Sequence, residues 1–256
     1  MIRAVFFDVD GTLVSYDTHG VLDSAREAIR KLRERGIKCV VATGRQLNQF
    51  RKMPAGNIPF DAYITLNGQV CVDDRDRIFH HVPIQGAMKA RLLKIFRDRE
   101  MPLLISGSNG SYVNFINDRV HYVHEFIGTP LPEVSEYKGR EIYQCSAYAR
   151  GAEQDWIRRE LPDCVVTSWS IEGVDIIAAG GGKVAGIAKY LELTGISREE
   201  TMAFGDGEND MQMLRYVGCG IAMGNAADSV KAAADYVTDH IDRDGLAKAL
   251  EHFNLI

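Results

Sequence analysis

Apolar residues gather in short runs that end abruptly in polar or glycine-rich turns. The first, Ile2 to Phe7, is continuous rather than alternating, as expected of a strand buried on both faces of a parallel sheet. It delivers the chain into Asp8-Val-Asp10-Gly-Thr12. Next, Ala25, Ile29 and Leu32 recur at helical spacing behind Ser24-Ala-Arg-Glu27, which has the form of a capping box, and Gly36 closes the pattern. Strands are predicted again over Ile37 to Ala42, stopping at Thr43-Gly-Arg45, and over Ala62 to Leu66, stopping at Asn67-Gly68. This alternation is the grammar of a doubly wound α/β sheet, in which ligands bind outside the carboxyl ends of the strands. It returns late in the chain. Thr201 to Phe204 runs into Gly205-Asp-Gly-Glu-Asn-Asp210, Gly220 to Met223 into Gly224-Asn225, and Tyr236 to Thr238 into Asp239. These late strands are expected to rejoin the early ones in one parallel sheet.

Between the two halves the texture changes. Short β-rich stretches, Ser111 to Ile116 and Val120 to Glu125, flank Asn117-Asp-Arg119, which reads as a hairpin turn, and helical patterns occupy Gln85 to Arg99 and Ala152 to Leu161. Residues 83–182 therefore read as an α+β domain inserted into an α/β core made of residues 1–82 and 183–256. Gly180-Gly-Gly182 is the natural hinge where the insertion returns. His121 and His124 stand three apart on what reads as a strand, which sends them to opposite faces and argues against a zinc pair. The tyrosines and phenylalanines from Tyr112 to Phe126 read as core of the inserted domain.

Composition narrows the class. A chain of 256 residues with 46% hydrophobic side chains can bury a large core. Its net charge of -5, without a run of lysine or arginine, speaks against a nucleic-acid partner. No stretch has the length or flanks of a signal peptide or membrane span, so the expected setting is the cytoplasm, without a membrane partner. The five cysteines are scattered and form no C-x-x-C pair, so they read as reduced thiols.

The strand ends carry the candidate chemistry. In an extended segment Asp8 and Asp10 point the same way, and two such like charges resist ionisation unless a cation joins them or one exchanges protons. Taken locally, Asp-Gly is also ordinary turn chemistry, with Thr12 as a cap. Thr43 and Gly44 offer a hydroxyl and an open backbone amide suited to phosphate oxygens, and equally fit a helix N-cap. Lys183 opens a helix running to Leu193; beside an anion crevice it is a mobile point charge for phosphate, elsewhere a solvated surface residue. Asp206 and Asp210 bracket Asn209 with more carboxylate than a turn requires. Three carboxylates at one crevice suit a hard cation with oxygen ligands, Mg²⁺ by default.

These residues resemble the haloacid dehalogenase superfamily of aspartate-nucleophile phosphatases, and within it the Cof-type hydrolases of subfamily IIB. Asp8-x-Asp10-Gly-Thr12 matches the first family motif, Thr43-Gly-Arg45 the second, Lys183 the third and Gly205-Asp-Gly-x-Asn-Asp210 the fourth. Asn67-Gly68 also sits where such proteins carry Asn-Gly, whereas the glycine run before Lys183 departs from the usual pattern. The resemblance implies a Mg²⁺-dependent phosphatase acting on small phosphorylated metabolites, such as sugar phosphates or phosphorylated cofactors, with the insertion as a substrate-selecting cap. It implies Asp8 as nucleophile forming an aspartyl-phosphate, and Asp10 as acid and base with its side chain free for that work. Asp8, Asp206 and the Asp10 backbone carbonyl are the implied metal ligands, Asp210 the group steadying them from behind. Thr43, the Gly44 amide, Lys183 and Asn209 are the implied phosphoryl holders. A phosphomutase of the same superfamily and a non-catalytic phospho-aspartate signalling module are the alternative readings. A P-loop kinase is weaker, since Val184 follows Gly180-Gly-Gly-Lys183 where Ser or Thr is required.

Overall fold

The computed structural model describes residues 1–256. In chain order the strands are β1 (Ala4–Phe7), β2 (Lys38–Ala42), β3 (Ala62–Thr65), β4 (Val70–Asp73), β5 (Ile78–His81), β6 (Leu103–Gly107), β7 (Gly110–Val113), β8 (Glu133–Val134), β9 (Gln144–Ala147), β10 (Cys164–Ser170), β11 (Gly173–Ala178), β12 (Thr201–Gly205), β13 (Cys219–Ala222) and β14 (Tyr236–Val237). They form two sheets. The larger runs β14-β13-β12-β1-β2-β3-β4-β5, and its members from β14 to β3 pair in parallel. The late strands thus rejoin the early ones, as the apolar runs predicted.

β1 lies at the centre because it is apolar throughout: all four of its residues are buried, with β12 on one side and β2 on the other. On one face Phe6 meets Tyr190 edge-on at 6.0 Å, within a cluster that includes Val40, Ile64, Ile187, Leu191 and Leu214. On the other, Phe7 stacks on Phe204 at 5.6 Å. Each such side chain withdrawn from water contributes roughly 1.5–3 kcal/mol, so the centre of the sheet is its most firmly held part. The strand order reverses there, β2 following β1 to one side and β12 lying on the other, all three parallel, which makes the β1 carboxyl end a topological switch point.

The helix Asp23–Glu34 buries Ala25, Ala28, Ile29 and Leu32 at the predicted spacing. Its predicted capping box does not form. The helix begins at Asp23 without a side-chain cap, Ser24 donates to Asp244 at 2.6 Å, and Glu27 turns along the helix to Arg30. A tertiary partner outcompetes the local bond. The helix Lys183–Thr194 buries Lys183, Ile187, Tyr190 and Leu191 on one stripe, so its inner face carries its first residue down against the sheet.

The chain divides into two compact units, one of residues 1–80 with 183–256 and one of residues 81–182. The second holds the sheet β10-β11-β9-β6-β7-β8, antiparallel except for the pairing of β7 with β8. Leu92, Ile95 and Phe96 of the helix Gly86–Asp98, and Ile157 of the helix Ala152–Glu160, cover one face of that sheet through Leu103, Ile105, Cys145 and Ile176. Both helices match the predicted patterns.

The predicted hairpin is instead a helix, Asp118–Phe126. Asn117 is its N-cap, accepting from the Val120 amide at 3.1 Å, and Val120 and Val123 pack on Val113 and Tyr148. A short apolar run does not separate strand from helix by periodicity alone, and here the cap decides. His121 and His124 consequently share a helical face rather than opposing each other. His124 is occupied on both ring nitrogens, by Thr129 at 2.9 Å and Tyr148 at 2.7 Å. Of the aromatics read as core, Tyr112 is buried, but Tyr122 and Phe126 are exposed and stack on each other. All five cysteines are free thiols, three of them buried. No helix is long and apolar enough to cross a membrane.

Candidate active site

Parallel pairing carries the chemistry of four strand ends to one edge of the core sheet. Phe7 pairs with Phe204, so Asp8 and Gly205-Asp206 leave neighbouring strands side by side. Asp8 is 6% exposed and Lys183 3% exposed. The Lys183 ammonium donates to Asp8 Oδ1 and to Asp210 Oδ1, each at 2.6 Å. Lys183 is therefore a buried cation, not the solvated surface residue that its sequence neighbourhood equally allowed. Asp210 Oδ2 accepts from the amides of Asp206 at 3.1 Å and Gly207 at 2.9 Å, which holds the Gly205 to Asp210 turn closed.

Carboxylate oxygens of Asp8, Asp206 and Asp210 all lie within 4.8 Å of one another. Burial first, and then Asp210, push the Asp8 carboxyl from 3.8 up to about 7, although Lys183 pulls the other way. Burial and the Asp8 charge push Asp206 from 3.8 up to about 8. Burial pulls the Lys183 ammonium down, but Asp210 and Asp8 outweigh it and leave its pKa raised. One ammonium does not balance two buried carboxylates and a half-buried third, and the group is short of positive charge. All-oxygen donors in such a group fit a hard divalent cation. Asp210 stands within this trio rather than only behind it, and shares Lys183 with Asp8.

Two side chains to which the sequence reading gave no role in the trio hold Asp206 in place. The Thr12 hydroxyl donates to Asp206 Oδ1 at 3.0 Å across the sheet, rather than capping its own turn. Asn225 donates to the Gly11 carbonyl at 2.8 Å, reaches Asp206 Oδ2 at 3.4 Å, and accepts from the Ile241 amide at 3.0 Å. It ties the first and fourth motifs together from a fifth strand end. Gly224-Asn225 after an apolar run was the available signal.

Gly11 has φ +82°, and a Cβ there would lie 2.1 Å from Asp206 Oδ2. Gly11→Ala is accordingly expected to lower turnover by about 10²-fold, the cost of a misplaced reacting group, and to lower the melting temperature; kinetics and calorimetry check both.

The second motif is held by hydrogen bonds of its own. Thr43 is buried, and its Oγ1 accepts from the Arg45 amide at 3.1 Å. The Arg45 guanidinium clasps Asp10, Nε to Oδ2 and Nη2 to Oδ1, both at 2.7 Å. Asp10 therefore has a side-chain partner to which the sequence reading gave no role, a guanidinium fork that matches both its oxygens. The third strand end is pinned to the second: the Leu66 amide donates to the Arg45 carbonyl and Asn67 to the Thr43 carbonyl. Leu66 and Asn67 take left-handed φ of 51° and 52° to do so, a rare conformation for leucine. Asn67 Oδ1 then accepts from the Asn209 side chain at 2.9 Å. With those of Asn225, these bonds stitch five strand ends together, Thr43 and Arg45 of the second motif among them.

The haloacid dehalogenase-like hydrolase family matches residues 5–250. The chain belongs to this family. A relative from Bacillus subtilis (strain 168), YkrA, provisionally described as a phosphatase, is 32% identical over 99% of this chain and 98% of its own length. The 5-amino-6-(5-phospho-D-ribitylamino)uracil phosphatase YcsE of the same organism is 29% identical over 99% of this chain and 96% of its own. Among solved structures, BT1666 from Bacteroides thetaiotaomicron, a phosphatase of the superfamily, superposes with TM-score 0.91 at 33% identity, over 100% of this chain and 96% of that one. The subclass IIB sugar phosphatase BT4131 gives TM-score 0.90 at 33% identity, over 99% and 100%. This haloacid dehalogenase-like protein is a phosphatase of the Cof type, with the α/β fold of that superfamily.

Proposed function

We propose that this phosphatase hydrolyses phosphate monoesters of small metabolites by way of a phosphorylated Asp8. The observation that carries this reading is the position of Asp8, buried at the switch point of the sheet with Lys183 at 2.6 Å. A carboxylate and a phosphate dianion repel, so the nucleophile needs cations beside it. Lys183 is one. Mg²⁺, held by the side chains of Asp8 and Asp206 and the Asp10 carbonyl, would supply further positive charge against the phosphoryl oxygens.

Asp8 attacks phosphorus, forming one oxygen–phosphorus bond as the bond to the leaving oxygen breaks. Thr43, the Gly44 amide, Asn209 and Lys183 orient the transferred group. Asp10 gives the leaving oxygen its proton and then takes one from the water that hydrolyses the acyl phosphate. Asp210 keeps Lys183 and the fourth-motif turn in place. Residues 81–182 act as the substrate-selecting cap, and the five free thiols suit a reducing cytoplasm.

Named activities of relatives set the panel. It comprises sugar phosphates, phosphoribitylaminouracil compounds and HMP-PP. Phosphate release from members of this panel in Mg²⁺, falling to background in EDTA and returning with added Mg²⁺, is the expected result. Release unaffected by chelation would remove the metal from the reading, and no release from any member would remove the substrate class. Asp10→Asn should lose roughly 10²–10⁴-fold in kcat, the usual range for general acid–base catalysis, as steady-state kinetics would show.

A further inference from the structure

Arg45 completes the second motif yet takes no part in the phosphoryl cradle described above. We propose that Arg45 is the positioning residue for Asp10: its fork sets the direction in which the carboxylate faces the leaving oxygen. The proposal rests on the reading of Asp10 as acid and base.

The geometry supports this in three ways. Both oxygens of Asp10 are engaged at 2.7 Å by separate nitrogens of one planar group, a pairing that fixes direction as well as distance. The side chains are 19% and 25% exposed, so water competes little for either. Arg45 is itself anchored at both ends of its peptide, its amide to Thr43 Oγ1 at 3.1 Å and its carbonyl to the Leu66 amide at 3.0 Å. Asp10 sits beyond the end of β1 in a turn whose bonds are made by its backbone, and its two carboxylate oxygens take their hydrogen bonds from Arg45. The clamp comes from the neighbouring strand end.

An arginine stays protonated, and its five N–H groups donate only. Both of its bonds to Asp10 therefore run from guanidinium to carboxylate, and together they fix the way the carboxylate faces. As the Asp8 oxygen bonds to phosphorus and the ester bond breaks, the proton passes from Asp10 to the leaving oxygen, and the alcohol departs. Arg45 thus acts on proton transfer rather than on phosphate binding.

Leaving groups separate these roles. Benzyl phosphate and p-nitrophenyl phosphate are similar in size, but the first leaves as a basic alkoxide that needs a proton and the second as a stabilised phenolate. The readout is kcat/KM, which covers steps through transfer to Asp8 only. Arg45→Gln is expected to lower the benzyl to p-nitrophenyl ratio by about 10²-fold, the loss for a misplaced catalytic group. In an Asp10→Asn background the same substitution should leave that ratio unmoved, since the acid is already gone. Equal losses on both esters, an unchanged ratio, or a full further loss in the Asp10→Asn background would each overturn the proposal. Should Arg45→Gln fail to fold, Arg45→Lys keeps the charge without the two-pronged geometry and is judged by the same ratio. Wild-type protein without turnover on p-nitrophenyl phosphate would overturn the underlying reading as well.

Discussion

Asp8→Asn is expected to abolish turnover while the protein folds. The amide preserves shape but is no nucleophile at phosphorus, and no other carboxylate stands at the end of the central strand with Lys183 at 2.6 Å. Residual activity at the wild-type level would dismiss Asp8 as the nucleophile. The same variant has a stability signature. In the folded, metal-free protein the Asp8 carboxyl is pushed from 3.8 to about 7, chiefly by burial and then by Asp210. Folding therefore favours its protonated form. Wild-type stability from this group is complete below about 3.8, falls as pH rises toward about 7, and levels off above. Asn cannot ionise and escapes that fall. In EDTA, the melting temperature of Asp8→Asn should rise relative to wild type across this window, and melting curves taken at stepped pH would show it. A difference that shrinks as pH rises would contradict the raised carboxyl.

Lys183→Ala is expected to cost on the order of 3 kcal/mol in the barrier, comparable with losing one oxyanion donor, which is about 10²-fold in kcat/KM. It should also lower stability. Lys183 is 3% exposed and its ammonium serves two buried carboxylates, so its removal strands both Asp8 and Asp210. Breaking one side of such a buried pair typically costs about 3–5 kcal/mol. Denaturant unfolding in EDTA measures that cost, and added Mg²⁺ should recover part of it by restoring positive charge. An unchanged kcat/KM would take Lys183 out of the chemistry and leave it a purely structural cation.

Six of the eight core strands were legible because each is a short apolar run, and burial on both faces of a parallel sheet asks for little else. β4 and β5 were not: β4 pairs antiparallel with β3, and β5 reads Ile-Phe-His-His with no apolar run. That the late strands rejoin the early ones followed from the same grammar. The errors concentrate where local patterns compete with distant partners. Val120 to Glu125 is equally apolar as strand or helix until Asn117 caps it, and with the wrong period His121 and His124 were sent to opposite faces. Ser24 has the sequence of a cap, but Asp244 takes its hydroxyl.

At the site the same contrast holds. By itself the sequence determined which chemical groups arrive at the strand ends, because a buried strand that stops at Asp, Thr-Gly or Gly-Asp must present those residues at its edge. Only the tertiary structure decided who holds whom: Arg45 on Asp10, Thr12 and Asn225 on Asp206, Asn209 on Asn67, and Lys183 buried between Asp8 and Asp210. The physical reason is that hydrogen bonds and ion pairs depend on angstrom-scale distance. Positions well apart in the chain acquire that distance only when parallel strands bring their carboxyl ends together.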